Sequence, residues 1–224
     1  MMFSTNYSRL PEAQKSLLPM LSGSKKAGFV LYGGTALSLR LGHRESTDFD
    51  FFSSCSLNSV LFDTITLLKC SKVIQEEKDI IVFETSENVK ISFFGNIDFG
   101  CINCPELTDD NNLYVASIID IMGTKLKTLL QRISIKDYID IAEIIKSGIK
   151  LETGLSAAVS LYKNQFPAFD ALRALTYFDV KELQDLSKEY KKVLVTTVKN
   201  INIEGIKEIP LKLKNISDIN NVYL

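Results

Sequence analysis

Residues 31–52, LYGGTALSLRLGHRESTDFDFF, constrain this chain more than any other stretch. The apolar run Phe29 to Tyr32, bounded by Gly28 and Gly33, reads as a buried strand. Gly33 and Gly34 follow, where no side chain blocks a close approach to the backbone. A helical pattern in Ala36, Leu37 and Leu41 then starts at Thr35 and is closed by Gly42. The free N–H groups at such a helix start can cradle a phosphate. Asp48 and Asp50 come next, in a run that reads as a second strand. Their i, i+2 spacing puts both carboxylates on one strand face and turns Phe49 and Phe51 to the other. Two acids aimed the same way repel unless a cation lies between them. Hard oxygen ligands of this kind suit Mg²⁺ carrying nucleotide phosphates.

The rest of the chain frames that unit. Residues 10–21 carry apolar side chains at helical spacing behind Pro11, and residues 57–69 have an amphipathic helical pattern. Ile80 to Phe83 and Val89 to Phe94 form a hairpin across the turn formers of residues 85–88. From Val115 to about residue 202 the period is 3.6. The last long helix, opened by an Asp179-x-x-Glu182 capping box, carries Lys188, Lys192 and Lys199 along one face. The fold expected is α+β: a small mixed β-sheet core flanked by helices, then a helical C-terminal half. A boundary at the polar cluster near residue 112 gives an α/β core over 1–112 and, over 113–224, a helical region completing the active-site cleft.

Composition excludes several classes. The 224 residues are 46% hydrophobic and 24% charged, so the chain is neither disordered nor low in complexity. A net charge of −1 rules out a polycationic arm, so any nucleic-acid contact must be local. The start has no secretory pattern and no run is apolar enough to span a membrane, which reads as a cytoplasmic protein. Cys101 and Cys104 make one C-x-x-C with no second pair, and His43 is the sole histidine. A structural zinc is therefore not expected, and reduced thiols are.

The strand, Gly-Gly-Thr, helix, Asp-x-Asp order resembles the G-[ST]-x(n)-D-x-D signature of the DNA polymerase β-like nucleotidyltransferase superfamily. GGTALSLRLGHRESTDFDFF is similar, more narrowly, to the first motif of the AbiEii/AbiGii toxin-type nucleotidyltransferases. The segment from Asp120 through Lys125, Gln131 and Arg132 to Lys136, Asp137 and Asp140 resembles that family's helical motif, and residues 171–179 a segment of its shorter members. The resemblance implies a toxin of a toxin–antitoxin system that moves NMP from an NTP to an acceptor, the tRNA 3′ end or a protein hydroxyl. An antitoxin protein is the implied regulator, and Mg²⁺, or Mn²⁺ in its place, the implied cofactor. Asp48 and Asp50 would hold the metal. Gly34 and Thr35, with Gly33 before them and Arg44 after, would hold the nucleotide. Lys125 would neutralise phosphate, and Asp137 would sit near the metals or orient Lys125.

From spacing alone these last residues read differently. Lys125 reads as a solvated helix lysine like Lys127, Asp137 as the partner of Ser134 in a capping box, and Asp140 as an exposed first-turn acid. The chain also departs from the superfamily at the strand VKISFF, residues 89–94. Ser92 occupies the place where a third carboxylate is expected. A binding protein that keeps the fold and nucleotide affinity without turnover is the competing reading.

Overall fold

The computed structural model describes residues 2–57 and 63–221, which form two compact units. The first comprises residues up to Ser117 together with the segment from Lys212 onward; the second is Ile118–Leu211. No described helix is long and apolar enough to cross a membrane.

The first unit is built on a mixed sheet. Its described strands are β1 (Val30–Tyr32), β2 (Asp48–Phe52), β3 (Lys72–Glu77), β4 (Ile80–Glu84), β5 (Lys90–Phe94), β6 (Glu106–Leu107) and β7 (Tyr114–Val115). Their order across the sheet is β3-β4-β5-β2-β1-β7-β6. β1 runs antiparallel to β2, whereas β2 and β5 are parallel, as are β1 and β7. The helical segments α1 (Glu12–Leu17), α2 (Gly23–Lys26) and α3 (Gly33–Leu41) flank it.

Aromatic packing fixes the parity of β2. Phe49 and Phe51 are completely buried, and Phe51 stacks on Phe93 of β5 with ring centroids 5.0 Å apart. Phe29 and Phe83 meet the same Phe93 edge-on, at 5.1 and 6.2 Å. Each such ring contributes about 1.5–3 kcal/mol through burial. A one-residue slip of β2 would bury Asp48 and Asp50 in their place.

The hairpin of β4 and β5 forms as the sequence indicates, with Asn88 at φ 57° in its turn. Other elements differ. Val115, where the helical period was expected to begin, still belongs to the sheet, because Tyr114–Val115 is a strand of only two residues, too short to show a period. β3 goes unannounced in the sequence because all six of its side chains are exposed, which leaves no alternation to read. Of the helix expected over residues 57–69, positions 58–62 lie outside the described residues. Asp63 and Thr64 are helical as expected, and a 3₁₀ turn, Thr66–Cys70, follows. The segment after residue 211 returns to the sheet side: Cys101 N–H donates to the Leu213 carbonyl at 3.0 Å.

The second unit is helical: α4 (Ile118–Leu129), α5 (Ile135–Lys146), α6 (Leu151–Tyr162), α7 (Ala168–Thr176) and α8 (Lys188–Lys199). α4 crosses α6 closely, since a Cβ added at Gly123 would lie 3.1 Å from the Ala158 nitrogen. The Tyr138 hydroxyl donates to the Ala174 carbonyl at 3.1 Å and ties α5 to α7. α8 is opened by Ser187, whose side chain accepts the Tyr190 N–H at 3.3 Å. The expected Asp179/Glu182 box does not open it: Lys181–Leu183 is a separate 3₁₀ turn.

Candidate active site

In the first unit, the sharp exit from β1 makes the site. Gly33 has φ +73°, a left-handed conformation that costs other residues about 1–2 kcal/mol. Close approach matters here too. A Cβ at Gly33 would lie 2.6 Å from Oδ2 of Asp50, so that carboxylate rests against bare backbone. The register agrees, with Tyr32 opposite Asp50. At Gly34 a Cβ would come within 2.8 Å of both Nη2 of Arg44 and Oγ of Ser46.

Hydrogen bonds tie the helix start to the acidic strand. The buried Thr35 hydroxyl donates to the main-chain carbonyl of Asp48. Its side chain thus braces β2, leaving the main-chain N–H groups at the start of α3 as the donors available to an anion. The Ser38 hydroxyl donates to the Arg44 carbonyl at 2.8 Å, and Nη1 of Arg44 donates to the Glu45 carbonyl at 2.8 Å. The structure therefore brings Gly33, Gly34, Thr35, Arg44, Asp48 and Asp50 together. It adds the buried Ser46, which the sequence offered only as part of the family-like first motif and without a role.

Asp48 is exposed and Asp50 half-buried, on one face of β2 and roughly 7 Å apart along the strand. Ser92 lies directly beside Asp50, as its Cα partner on β5, and is 8% exposed. Among the described residues no group of three or more His, Cys, Asp and Glu side chains is arranged to hold a metal ion. Two carboxylates beside a helix start do fit Mg²⁺. That ion takes one or two protein carboxylates and completes its shell with water and substrate phosphates.

The second unit holds a buried ionic cluster. Lys125 lies on α4 and is only 6% exposed. Its Nζ is 2.8 Å from Oδ1 of Asp137 and 2.6 Å from Oδ2 of Asp140, both on α5. The solvated-lysine reading is thereby overturned: the apolar spacing on α4 cannot reveal that its neighbour presents two acids. Asp140 is wholly buried, not an exposed first-turn acid. Asp137 does not cap with its side chain either. Ser134 makes no side-chain cap, and only the Asp137 N–H donates to the Ser134 carbonyl, at 2.9 Å. Lys127, by contrast, is half-buried and reaches the Gln165 carbonyl. Nε of the exposed Arg132 lies 3.5 Å from Oδ2 of Asp137.

Residues 20–202 match the family described as nucleotidyl transferase AbiEii toxin, type IV TA system. An uncharacterized protein of Aquifex aeolicus strain VF5, aq_aa25, is 31% identical over 160 residues, covering 67% of this chain and 74% of that protein. Among solved structures, the chain resembles MenT4, the nucleotidyltransferase toxin Rv2826c of Mycobacterium tuberculosis H37Rv. The TM-score is 0.58 at 16% identity, over 86% of this chain and 84% of that one. A structure from H. pylori described as a nucleotidyltransferase gives 0.53 at 18% identity, over 83% and 91%. At these identities the two structures establish a shared fold.

Proposed function

The chain belongs to the AbiEii nucleotidyl transferase toxin family, and from that premise we propose that it transfers a nucleoside monophosphate from an NTP to an acceptor hydroxyl. The observation that carries this reading is the pair Asp48 and Asp50 on one face of β2, tied by Thr35 and Gly33 to a helix start. In the proposed reaction the acceptor oxygen attacks the α-phosphorus. One P–O bond forms as the bond to the leaving pyrophosphate breaks, and the acceptor hydroxyl gives up its proton to water. Such transfers depend on positioning and charge neutralisation more than on covalent chemistry of the protein.

Each residue then has a part. Asp48 and Asp50 would hold Mg²⁺ or Mn²⁺, which when bound neutralises charge on the phosphate oxygens. The N–H groups of Gly34 and Thr35 bind the phosphates, with Gly33 leaving room. Arg44 sits beside Gly34 and supplies a guanidinium for a phosphate oxygen. The Lys125 ammonium donates to Asp137 and is ion-paired with Asp140, and a remaining N–H is the donor assigned to phosphate. Asp137 orients that ammonium. The acceptor proposed is the 3′ end of tRNA or a protein hydroxyl. An antitoxin protein is the proposed partner, and the cytoplasm the proposed compartment.

A second reading, nucleotide binding without turnover, is favoured by one observation: Ser92 stands beside Asp50 where a third carboxylate would complete the metal set. Incubation with each α-labelled NTP, Mg²⁺ and total tRNA separates the two. Label transfer supports the enzyme, and tight NTP binding without transfer supports the binding protein.

A further inference from the structure

Lys90 opens β5 directly beside the acidic pair. It is the Cα partner of Asp48 on the adjacent parallel strand, so the two side chains project to the same side from backbones about 4.8 Å apart. The row continues across β4 and β3 with Glu84, the Cα partner of Lys90, and Lys72, the Cα partner of Glu84. Asp48, Lys90 and Lys72 are exposed, and Glu84 is half-buried. Opposite charges placed across strands in this way can pair. Among the described residues, however, Lys90 makes no ion pair or side-chain hydrogen bond with either acid, and the Asp48 carboxylate makes none. The ammonium is uncommitted.

The direction of the transfer decides what that ammonium faces. β1 and β5 lie on opposite sides of β2. The donors proposed for the triphosphate, the start of α3 and Arg44, are on the β1 side, where Asp50 rests against Gly33 and Arg44 against Gly34. An in-line displacement sets the attacking and leaving oxygens on opposite sides of the phosphorus. With pyrophosphate leaving toward α3, the acceptor approaches over β5, where Ser92 and Lys90 stand.

We infer that Lys90 binds the acceptor, through a phosphate next to the attacking hydroxyl. A hydroxyl alone offers an ammonium no charge. The last phosphodiester of a polynucleotide lies one sugar from its terminal 3′ hydroxyl and supplies that charge in a fixed place. A protein hydroxyl has no such neighbour, so Lys90 favours a polynucleotide 3′ end over a protein side chain. Ser92 contributes by being neutral: no carboxylate two residues along β5 competes for the ammonium. This assignment rests on the transfer reading above, but the contact itself is measurable without turnover.

The test titrates a short oligoribonucleotide with a free 3′ hydroxyl into the full chain across a salt series. Mg²⁺ and an NTP with a non-hydrolysable α–β bridge are present, and that NTP is also titrated alone. Lys90→Gln should weaken RNA binding about tenfold, the scale of one charge-assisted hydrogen bond. The slope of log affinity against log salt should shrink by about 0.7, the share of one single-strand phosphate contact. Lys90→Arg should keep most of both. NTP affinity and Tm should match the wild type in Lys90→Gln, and Lys72→Gln, two strands farther along the row, should leave RNA binding unchanged. Equal effects of Lys90→Gln and Lys72→Gln overturn the inference, because they describe a diffuse surface charge. So does lost NTP affinity with RNA binding intact, which would put Lys90 on the triphosphate. A wild type that binds no RNA, or passes label to protein and none to RNA, overturns it as well. If RNA binding responds as expected and the wild type transfers no label, the proposed reaction fails while the Lys90 contact stands.

Discussion

Asp50 and Ser92 stand Cα opposite Cα on the adjacent parallel strands β2 and β5, in the register that also sets Asp48 beside Lys90. In-register parallel neighbours project to the same side, so a carboxylate at residue 92 would join the acidic pair. Ser92→Asp is therefore expected to lower the Mg²⁺ concentration needed for transfer. Without metal it should lower Tm, because a third like charge is added to a partly buried site. Thermal scans with and without Mg²⁺ check this. A Tm and a Mg²⁺ requirement both equal to those of the wild type would remove residue 92 from the metal set.

The two glycines should respond differently to alanine. Gly33→Ala meets a left-handed backbone and the Asp50 carboxylate, and is expected to cost at least 1–2 kcal/mol together with metal-dependent activity. At Gly34 the clash involves the far end of Arg44, which can move, and the hydroxyl of Ser46. Gly34→Ala should cost less stability yet still weaken NTP binding by crowding the helix start. Urea unfolding and equilibrium NTP titration distinguish the two effects.

Lys125→Ala leaves Asp137 and Asp140 buried without their ammonium, which should cost about 3–5 kcal/mol. Lys127→Ala loses a carbonyl contact and a ring contact with Tyr162 at 5.6 Å, and should cost about 1 kcal/mol or less. Chemical denaturation of both variants provides the check. Equal, small losses would contradict the ionic cluster.

What the sequence showed and what it hid divide along physical lines. The β1–α3–β2 unit was legible because its information is local: two glycines, a helix-spaced run and an alternating Asp-Phe-Asp-Phe are read within 22 consecutive residues. Of the partners of Lys125, Asp137 was reached only through the family resemblance and Asp140 not at all, because residues 125, 137 and 140 meet only once α4 and α5 pack, and a single helix pattern carries no record of its neighbour's face. Ser187 as the cap of α8 was masked by the better-spaced Asp179 and Glu182. β3, exposed on both faces, offered no pattern at all.

Acid should loosen the turn at residues 108–112. Partial burial raises the carboxyl pKa of Asp110, but hydrogen bonds from Thr108, Tyr7 and Asn112 outweigh it and hold the value below the usual range. A group depressed in this way stabilises the fold above its unfolded pKa, near 4, and loses that contribution as pH falls through the lower folded value. Asp110→Asn should therefore flatten the stability profile below about pH 4. The change should stay under roughly 0.5 kcal/mol, since most of the residue remains in contact with solvent, which screens it. Denaturation midpoints from pH 6 down to pH 2.5 measure it.

The acidic pair carries the account, and one comparison tests it most directly. Wild type and Asp48→Asn/Asp50→Asn are incubated with Mg²⁺, each α-labelled NTP and, in separate reactions, total tRNA and a soluble cell extract. Circular dichroism and Tm confirm that both are folded; the double variant should be slightly more stable without metal, because two like charges are removed. The wild type should transfer label from at least one NTP, and the double variant should transfer none. Transfer retained by the double variant would contradict the assignment of Asp48 and Asp50.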